Sequence, residues 1–240
     1  MEPIKYASKI YRPYWGAIQS NDTPSRKKQF HPPILPYSFS ALENITDAQH
    51  FKNHFMNFHV KSFENFQQLI QNSKAEKSEM IYLFKRAYNF DPKLIDLAGA
   101  IYNHQLYWDN LSPYCGTIST NLQTAIDNSF GSTLHLKDEF ILTGMNIPCC
   151  GWLWLIVNSE EKLQLLTTTA NNNPLMAHEE TKGTPLLAID LWEHAFINKF
   201  FNDKEGYLST VWMYINWNEV SNRFNSFTKT DLQNDIVQPF

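Results

Sequence analysis

Apolar residues recur with a helical period through much of the first half of the chain. Between Asp47 and Gln71, phenylalanine and leucine return at helical spacing, which predicts one long helix. A shorter helix is predicted from Met80 to Tyr88. A third helix starts at the Asp91–Pro92 pair and runs to Trp108. Residues 72–79 are polar and predict a linker between the first two helices.

The second half of the chain changes character. Short runs of β-branched and aromatic residues bounded by turn residues are typical of strands, and Trp152–Val157 is the clearest example. The predicted elements are helices at 118–130 and 136–143, strands at 152–157, 163–169 and 184–190, and helices at 193–202, 206–215 and from Asn218 onward. The first two strands are expected to form a hairpin. Helices followed by a three-stranded sheet with more helices indicate an α+β fold in two parts.

Four segments can be distinguished along the chain. Residues 1–30 form an extended arm, residues 31–113 a helical domain, residues 114–224 an α+β domain and residues 225–240 a tail. A polar arm broken by prolines rarely orders alone, so we expect it to lie on a partner. Its basic cluster Ser25-Arg26-Lys27-Lys28 is compatible with contact to RNA or an acidic protein, although such runs are usually solvated.

Composition narrows the classes of function. The net charge of -4 gives no indication of nucleic-acid binding, which usually requires a positively charged surface. No apolar run is long enough for a membrane span. Bridging the adjacent Cys149 and Cys150 would require strain, and Cys115 makes the cysteine number odd. These features indicate a reducing compartment or a matrix. The first thirty residues are mildly basic but broken by prolines, which is a weak transit-peptide signal.

Asp190 and His194 are the first candidates for chemistry. Asp190 follows the apolar run Pro185–Ile189, so it is expected where a buried strand ends. A carboxylate and a neutral imidazole together suit a first-row metal ion. A single pair of this kind is more often a surface ion pair or a satisfied core histidine. His54 and His104 are two further candidate ligands, but their spacing in one sequence does not show that the four converge.

Several longer motifs favour a metal site over an ordinary ion pair or core histidine. They are Leu35-Pro36-Tyr37, Ala41-Leu42-Glu43, Asn103-His104-Gln105-Leu106-Tyr107-Trp108, Asn110-Leu111-Ser112-Pro113, Phe130-Gly131-Ser132, Gly151-Trp152-Leu153-Trp154-Leu155, Asp190-Leu191-Trp192-Glu193-His194-Ala195, Val211-Trp212 and Ile215-Asn216-Trp217. With these motifs in this order, the chain resembles the iron/manganese superoxide dismutases over residues 31–224. The resemblance implies a helical hairpin domain followed by an α+β domain with a three-stranded antiparallel sheet.

The resemblance also implies a metal site between the two domains. Its ligands are three histidines, one aspartate and a solvent molecule around one iron or manganese ion, and the matching residues are His104, Asp190 and His194. Counting without a gap from Ala41-Leu42-Glu43 places His54 at the remaining position. Sliding the helix by about one turn would place His50 or His59 there instead.

The residues around the implied ligands depart from the family pattern. The gate tyrosine of the family is Ser62 here, its gate histidine is Phe58, and the tyrosine that reaches that histidine from the other subunit is Ile197. The glutamine that bonds the metal's solvent is absent from both of its usual places, which are Ala100 and Asn172. Such outer contacts tune a metal site, and losing one lowers affinity or activity by roughly 10–100-fold.

Other features of the family pattern are present. Glu193 matches the acid that pairs across the dimer with a ligand histidine of the other subunit, so a dismutase-fold partner, identical or paralogous, is expected. Phe58 and Ile197 are expected in the same interface. Trp152, Trp154 and Trp192 are expected to line the metal pocket, although core packing alone would also explain them.

Two functions follow from this pattern. The first is a structural subunit of a large mitochondrial assembly, a ribosome or a respiratory complex, attached through residues 1–30 and the tail and still able to bind metal. The second is an active superoxide dismutase of the mitochondrial matrix, using iron or manganese to convert superoxide to oxygen and hydrogen peroxide. The altered outer contacts favour the first function. A buried Asp190 beside histidines favours the second. An unpaired buried charge is costly, and a bound metal ion would neutralise it.

Overall fold

The structure is a computed structural model that describes residue 30 and residues 32–71, 73, 75–76, 78–147 and 149–227. The predicted arm, except for Phe30, and the part of the tail beyond residue 227 lie outside the described residues. The elements in chain order are α1 Ala48–His54, a π-helical segment Phe55–Val60, α2 Lys61–Ile70, α3 Met80–Lys85, a 3-10 turn Ala87–Asn89, α4 Pro92–Asn110, α5 Thr120–Phe130, α6 Thr133–Met145, β1 Gly151–Asn158, β2 Leu163–Thr169, β3 Gly183–Asp190, α7 Glu193–Phe200, α8 Lys204–Trp212 and α9 Trp217–Ser226.

The described strands form one antiparallel sheet in the order β2-β1-β3. The central strand β1 is buried along nearly its whole length, as its continuous apolar sequence requires. Trp152 of β1 lies opposite Asp190 of β3, so the end of β3 is anchored at the middle of the sheet. The predicted α+β class, with helices first and a three-stranded antiparallel sheet after them, is confirmed.

Helix α4 joins the two halves of the chain. Fourteen of its nineteen residues are buried, because it packs against α2 on one side and β3 on another. The buried Asn110 at its end donates to the carbonyl of Leu186 and accepts from the amide of Ala188. Gly99 permits close approach to the β2–β3 loop, since a Cβ there would lie 2.1 Å from the Asn171 carbonyl oxygen. The helix therefore carries its side chains directly to the sheet.

The predicted single helix from Asp47 to Gln71 is interrupted by the π-helical segment. Its wider turn is visible where the amide of Lys61 donates to the carbonyl of Met56, five residues earlier. His54 and His59 are also five residues apart, and both are buried. The wider turn places both side chains toward the core, which a regular α-helix would not do because its period is 3.6 residues.

None of the described helices has the length and apolar character needed to cross a membrane. Cys115, Cys149 and Cys150 all have free thiols.

A candidate metal centre

Four side chains from four elements meet between the helical half and the sheet. His54 comes from α1, His104 from α4, Asp190 from the end of β3 and His194 from α7. One possible ligand atom from each lies within 4.8 Å of the others. We call these four residues the cage. The sequence predicted each of them as a ligand, and the fold brings all four together.

The Asp190 carboxylate is the centre of the cage. Its Oδ2 atom lies 3.1 Å from His54 Nε2, 3.6 Å from His104 Nε2 and 3.3 Å from His194 Nε2. Its other oxygen, Oδ1, accepts from the Trp192 backbone amide at 2.8 Å. This division fixes the carboxylate and leaves one oxygen directed at three imidazoles.

The polar atoms at the centre of the cage are buried without hydrogen-bond partners among the described residues. They are Asp190 Oδ2 and the Nε2 atoms of His54, His104 and His194. Buried polar groups normally find a partner, and leaving one unsatisfied costs about 1–3 kcal/mol. A cation among the four atoms would satisfy all of them at once. Imidazole nitrogens and a carboxylate oxygen are the donor set that iron and manganese sites use.

The protonation of His104 is fixed by its hydrogen bond. Its Nδ1 donates to the Ala100 carbonyl, 2.7 Å away in the preceding turn of α4. The proton is therefore on Nδ1, and the lone pair of Nε2 faces the cage. This arrangement, a donor to a backbone carbonyl on one side and a free nitrogen on the other, orients a histidine for metal binding.

Burial keeps His54 and His104 neutral. It lowers the pKa of His54 to about 4 and that of His104 to about 3, with Asp190 partly opposing both shifts. Burial would raise the pKa of Asp190, but the nearby His194 and His54 hold it below its usual range. A charged carboxylate and neutral imidazoles are the states in which these groups bind cations.

The other two histidines considered for the first position lie elsewhere. His50 Nε2 donates to the His194 carbonyl at 2.7 Å, so it contacts the backbone of a cage residue. His59 Nδ1 accepts from Trp108 Nε1 at 3.0 Å, and its ring stacks beside His104. The structure therefore places His54, as the ungapped count does, in the cage.

The tryptophans expected around the pocket divide into two groups. Trp152 meets the His104 ring edge-on at 5.0 Å, and Trp192 lies nearly parallel to His194 at 5.7 Å. Trp154 has no ring contact with the cage; its Nε1 donates to Thr168. Trp154 shares a face of β1 with Trp152 but lies opposite Ala188 and not opposite Asp190, and its ring packs on Trp152. Trp108, at 4.9 Å from His54, lies against the cage instead.

The residues that depart from the family pattern also have defined positions. Phe58 stacks on His194 with ring centroids 3.8 Å apart and 17° between the planes. Ser62 is half-buried one helical turn further on. Glu193 and Ile197 are exposed on one face of α7, four residues apart. We call Phe58, Ser62, Glu193 and Ile197 the rim; Phe58 stacks on His194, the least buried cage residue, and the other three lie within one helical turn of Phe58 or His194 along the chain.

The two places without glutamine show what its loss leaves behind. Ala100 is buried and contributes only its carbonyl, which accepts from His104. The carbonyl of Asn172 accepts from Thr168 and Asn103. Trp152 Nε1 is buried and has no partner among the described residues, which leaves an unsatisfied donor beside the cage.

Sequence reasoning missed two tyrosines behind the cage. The Tyr207 hydroxyl donates to the Asp190 carbonyl at 2.9 Å, and it lies 3.1 Å from the Tyr107 hydroxyl. Both rings are fully buried. Tyr107 belongs to the motif Asn103-His104-Gln105-Leu106-Tyr107-Trp108, but no pattern in the sequence indicates that Tyr207 meets Asp190.

Comparison with known proteins agrees with this geometry. Residues 29–112 match the family model for the alpha-hairpin domain of iron/manganese superoxide dismutases, and residues 118–223 match the model for their C-terminal domain.

Individual relatives cover most of the chain. A protein from Acinetobacter baylyi named manganese superoxide dismutase is 33% identical over 204 residues, which are 84% of this chain and 90% of the relative. A protein from Escherichia coli K12 named iron superoxide dismutase is 31% identical over 193 residues, 80% of this chain and 96% of the relative. Relatives of both names match at similar identity, so similarity alone does not choose the metal.

Proposed function

Because the chain belongs to the iron/manganese superoxide dismutase family, we propose that it binds one iron or manganese ion in the cage and converts superoxide to oxygen and hydrogen peroxide. The observation that carries this proposal is the set of four buried, mutually facing and unpartnered polar atoms. A bound ion of this kind supplies the one-electron chemistry that the reaction needs.

The protein's part in this reaction is to hold and orient. Asp190 supplies one negative charge, and His54, His104 and His194 supply nitrogen donors, so the cage suits a cation of charge two or three. The backbone contacts of Asp190 and His104 hold both side chains in place before any ion arrives. Trp152 and Trp108 line the cage with apolar surface, which keeps bulk water away from it.

The rim supports a slower enzyme than the family pattern would give. Reduction of superoxide consumes protons, and a phenylalanine at position 58 cannot hold or pass one. Ser62 carries a short hydroxyl in place of a phenol. We therefore expect turnover roughly 10–100-fold below that of dismutases with the usual outer contacts.

A second proposal is a structural role on the matrix side of a mitochondrion, in a ribosome or a respiratory complex. It is supported by the apolar, half-exposed Phe58 and Ile197 on the rim, which suit a protein partner. The first partner expected there is a second dismutase-fold subunit, with Glu193 pairing across the dimer with a ligand histidine of that subunit. The arm and tail that would attach the chain to an assembly lie largely outside the described residues.

One preparation tests both proposals. The full chain is purified after growth with iron and with manganese, and metal content and superoxide turnover are measured on the same samples. His104→Ala should lose the metal, whereas His135→Ala, at an exposed site on α6, should keep it. Near-stoichiometric metal with turnover supports the enzyme. Metal without turnover favours the structural role, and a metal-free wild type contradicts the metal centre itself.

A further inference from the structure

His194 is the cage residue through which solvent comes closest to the centre. Its side chain is 17% exposed, compared with 3% for His54 and for His104 and 0% for Asp190. Its Nε2 atom is nevertheless buried. A bound ion would therefore exchange with solvent most easily if the His194 ring rotated out of the cage.

Phe58 covers that ring. The two rings are nearly parallel at a centroid distance of 3.8 Å, which is direct van der Waals contact over the face of the imidazole. Phe58 also meets His54 edge-on at 5.8 Å, so it touches two cage residues. The side chain is 40% exposed, and it therefore forms the boundary between His194 and solvent.

The same stretch of helix holds His194 at a second point. His50, two turns before Phe58, donates from Nε2 to the His194 carbonyl at 2.7 Å. The backbone of His194 is thus fixed from α1 and its ring from the π-helical segment. Trp192, nearly parallel to the imidazole at 5.7 Å, further limits rotation of the ring.

We propose that Phe58 is a lid that holds the His194 ring in the cage and slows the exchange of the bound ion with solvent. Phe58 acts through His194, and it is therefore a positioning residue. The inference rests on the metal binding proposed above but concerns retention of the ion, which dismutation does not require. An apolar lid at this point would combine slow metal loss with poor proton delivery, since the same ring causes both.

Metal release tests the lid directly. Wild type and Phe58→Ala are loaded with Mn²⁺ and mixed with excess EDTA, and the rate of loss is measured. Phe58→Ala should release the ion about tenfold faster, because the imidazole is then free to rotate. Phe58→Tyr keeps a flat ring and should release at nearly the wild-type rate. Met56→Ala is the matched control, since Met56 is an apolar residue of the same segment with 43% exposure.

A second readout needs no metal. In EDTA-treated protein, diethyl pyrocarbonate should label His194 several-fold faster in Phe58→Ala than in wild type, as followed by mass spectrometry. The exposed His135 serves as the internal standard. If Phe58→Ala released the ion and was labelled at His194 at the same rates as wild type, the lid would be overturned and the metal centre would remain supported. Failure of wild type to bind Mn²⁺ or iron would overturn both proposals.

Discussion

The cage and the rim meet where Phe58 stacks on His194, and they differ in chemistry. The cage is buried, polar and unsatisfied, and Asp190 and His104 are each held by a backbone contact that leaves one atom free to face the centre. The rim is partly exposed and, at Phe58 and Ile197, apolar. In a metalloenzyme that exchanges protons with water, polar groups are expected in both places.

This contrast separates binding an ion from using it. Buried polar atoms without partners destabilise a fold, so the cage is accounted for only if something binds there. The rim carries no such requirement, because an exposed phenylalanine stacked on a histidine is stable without any reaction. We infer that the cage is suited to bind a metal ion and that the rim limits the passage of protons and of the ion between the cage and solvent.

The largest expected effect comes from the charge at the centre of the cage. Asp190→Asn keeps an oxygen that can accept from the Trp192 amide, but it removes the negative charge and offers no second anionic oxygen. Metal affinity should fall by more than about 100-fold, beyond the usual cost of an outer contact. In the metal-free protein, Asp190→Asn should change the free energy of unfolding much less than in the metal-bound protein, because the ion that the carboxylate holds is then absent.

Metal titration and thermal unfolding with and without EDTA measure these two effects. Asp138→Asn, an exposed carboxylate on α6, is the control and should change neither. Equal stability loss with and without EDTA would mean that Asp190 serves packing rather than an ion.

Acid should weaken the metal-free protein through the cage and not through the rim. The pKa of His54 is about 4 and that of His104 about 3 in the folded chain, below the usual value near 6.5. As pH falls from about 6.5 toward 4, protons bind these histidines only in the unfolded chain. The free energy of unfolding should therefore fall, by about 2 kcal/mol for each histidine between pH 6.5 and 5.

Urea unfolding of EDTA-treated protein from pH 7.5 to 5 checks this sign. His104→Gln should reduce the pH dependence, whereas His135→Gln should retain it. A free energy of unfolding that stays constant across this range would show that His54 and His104 are not held neutral by burial.

Restoring polar groups to the rim should raise turnover without changing the metal. The double variant Phe58→His and Ser62→Tyr supplies a proton-carrying imidazole and phenol, and turnover per bound ion should rise about tenfold. Metal content should stay near that of wild type. Met56→His adds an imidazole to the same segment without the stacking contact and should leave turnover unchanged. A rim variant with no gain would place the limit on turnover inside the cage.

The sequence predicted the cage better than its surroundings, and the reasons are physical. Asp190 at a strand end and His194 four residues later are visible in local patterns, and the family resemblance adds His104 and His54. The π-helical segment was not predicted. Between Phe55 and Val60 the backbone hydrogen bonds join residues five apart and not four apart, and this change leaves the spacing of apolar residues in the sequence nearly unchanged.

Long-range contacts were also beyond the sequence. The stacking of Phe58 on His194 and the bond from Tyr207 to Asp190 join residues whose meeting depends on the packed fold. Local periodicity reports which face of an element is buried but not which side chain it will meet. The mitochondrial assembly, the dimer and the role of the arm therefore stay predictions.

The smallest effect is expected behind the cage, where Tyr207 supports the Asp190 backbone. Tyr207→Phe keeps the buried ring and removes the donor to the Asp190 carbonyl, so it should cost about 1 kcal/mol in the free energy of unfolding. Metal affinity should fall only a few-fold, because the carboxylate keeps its own contact with Trp192. Tyr107→Phe removes a hydroxyl that reaches Asp190 only through Tyr207, so its effect on affinity should be smaller still. If Tyr107→Phe weakened the metal more than Tyr207→Phe, the support for Asp190 would not pass through this backbone contact.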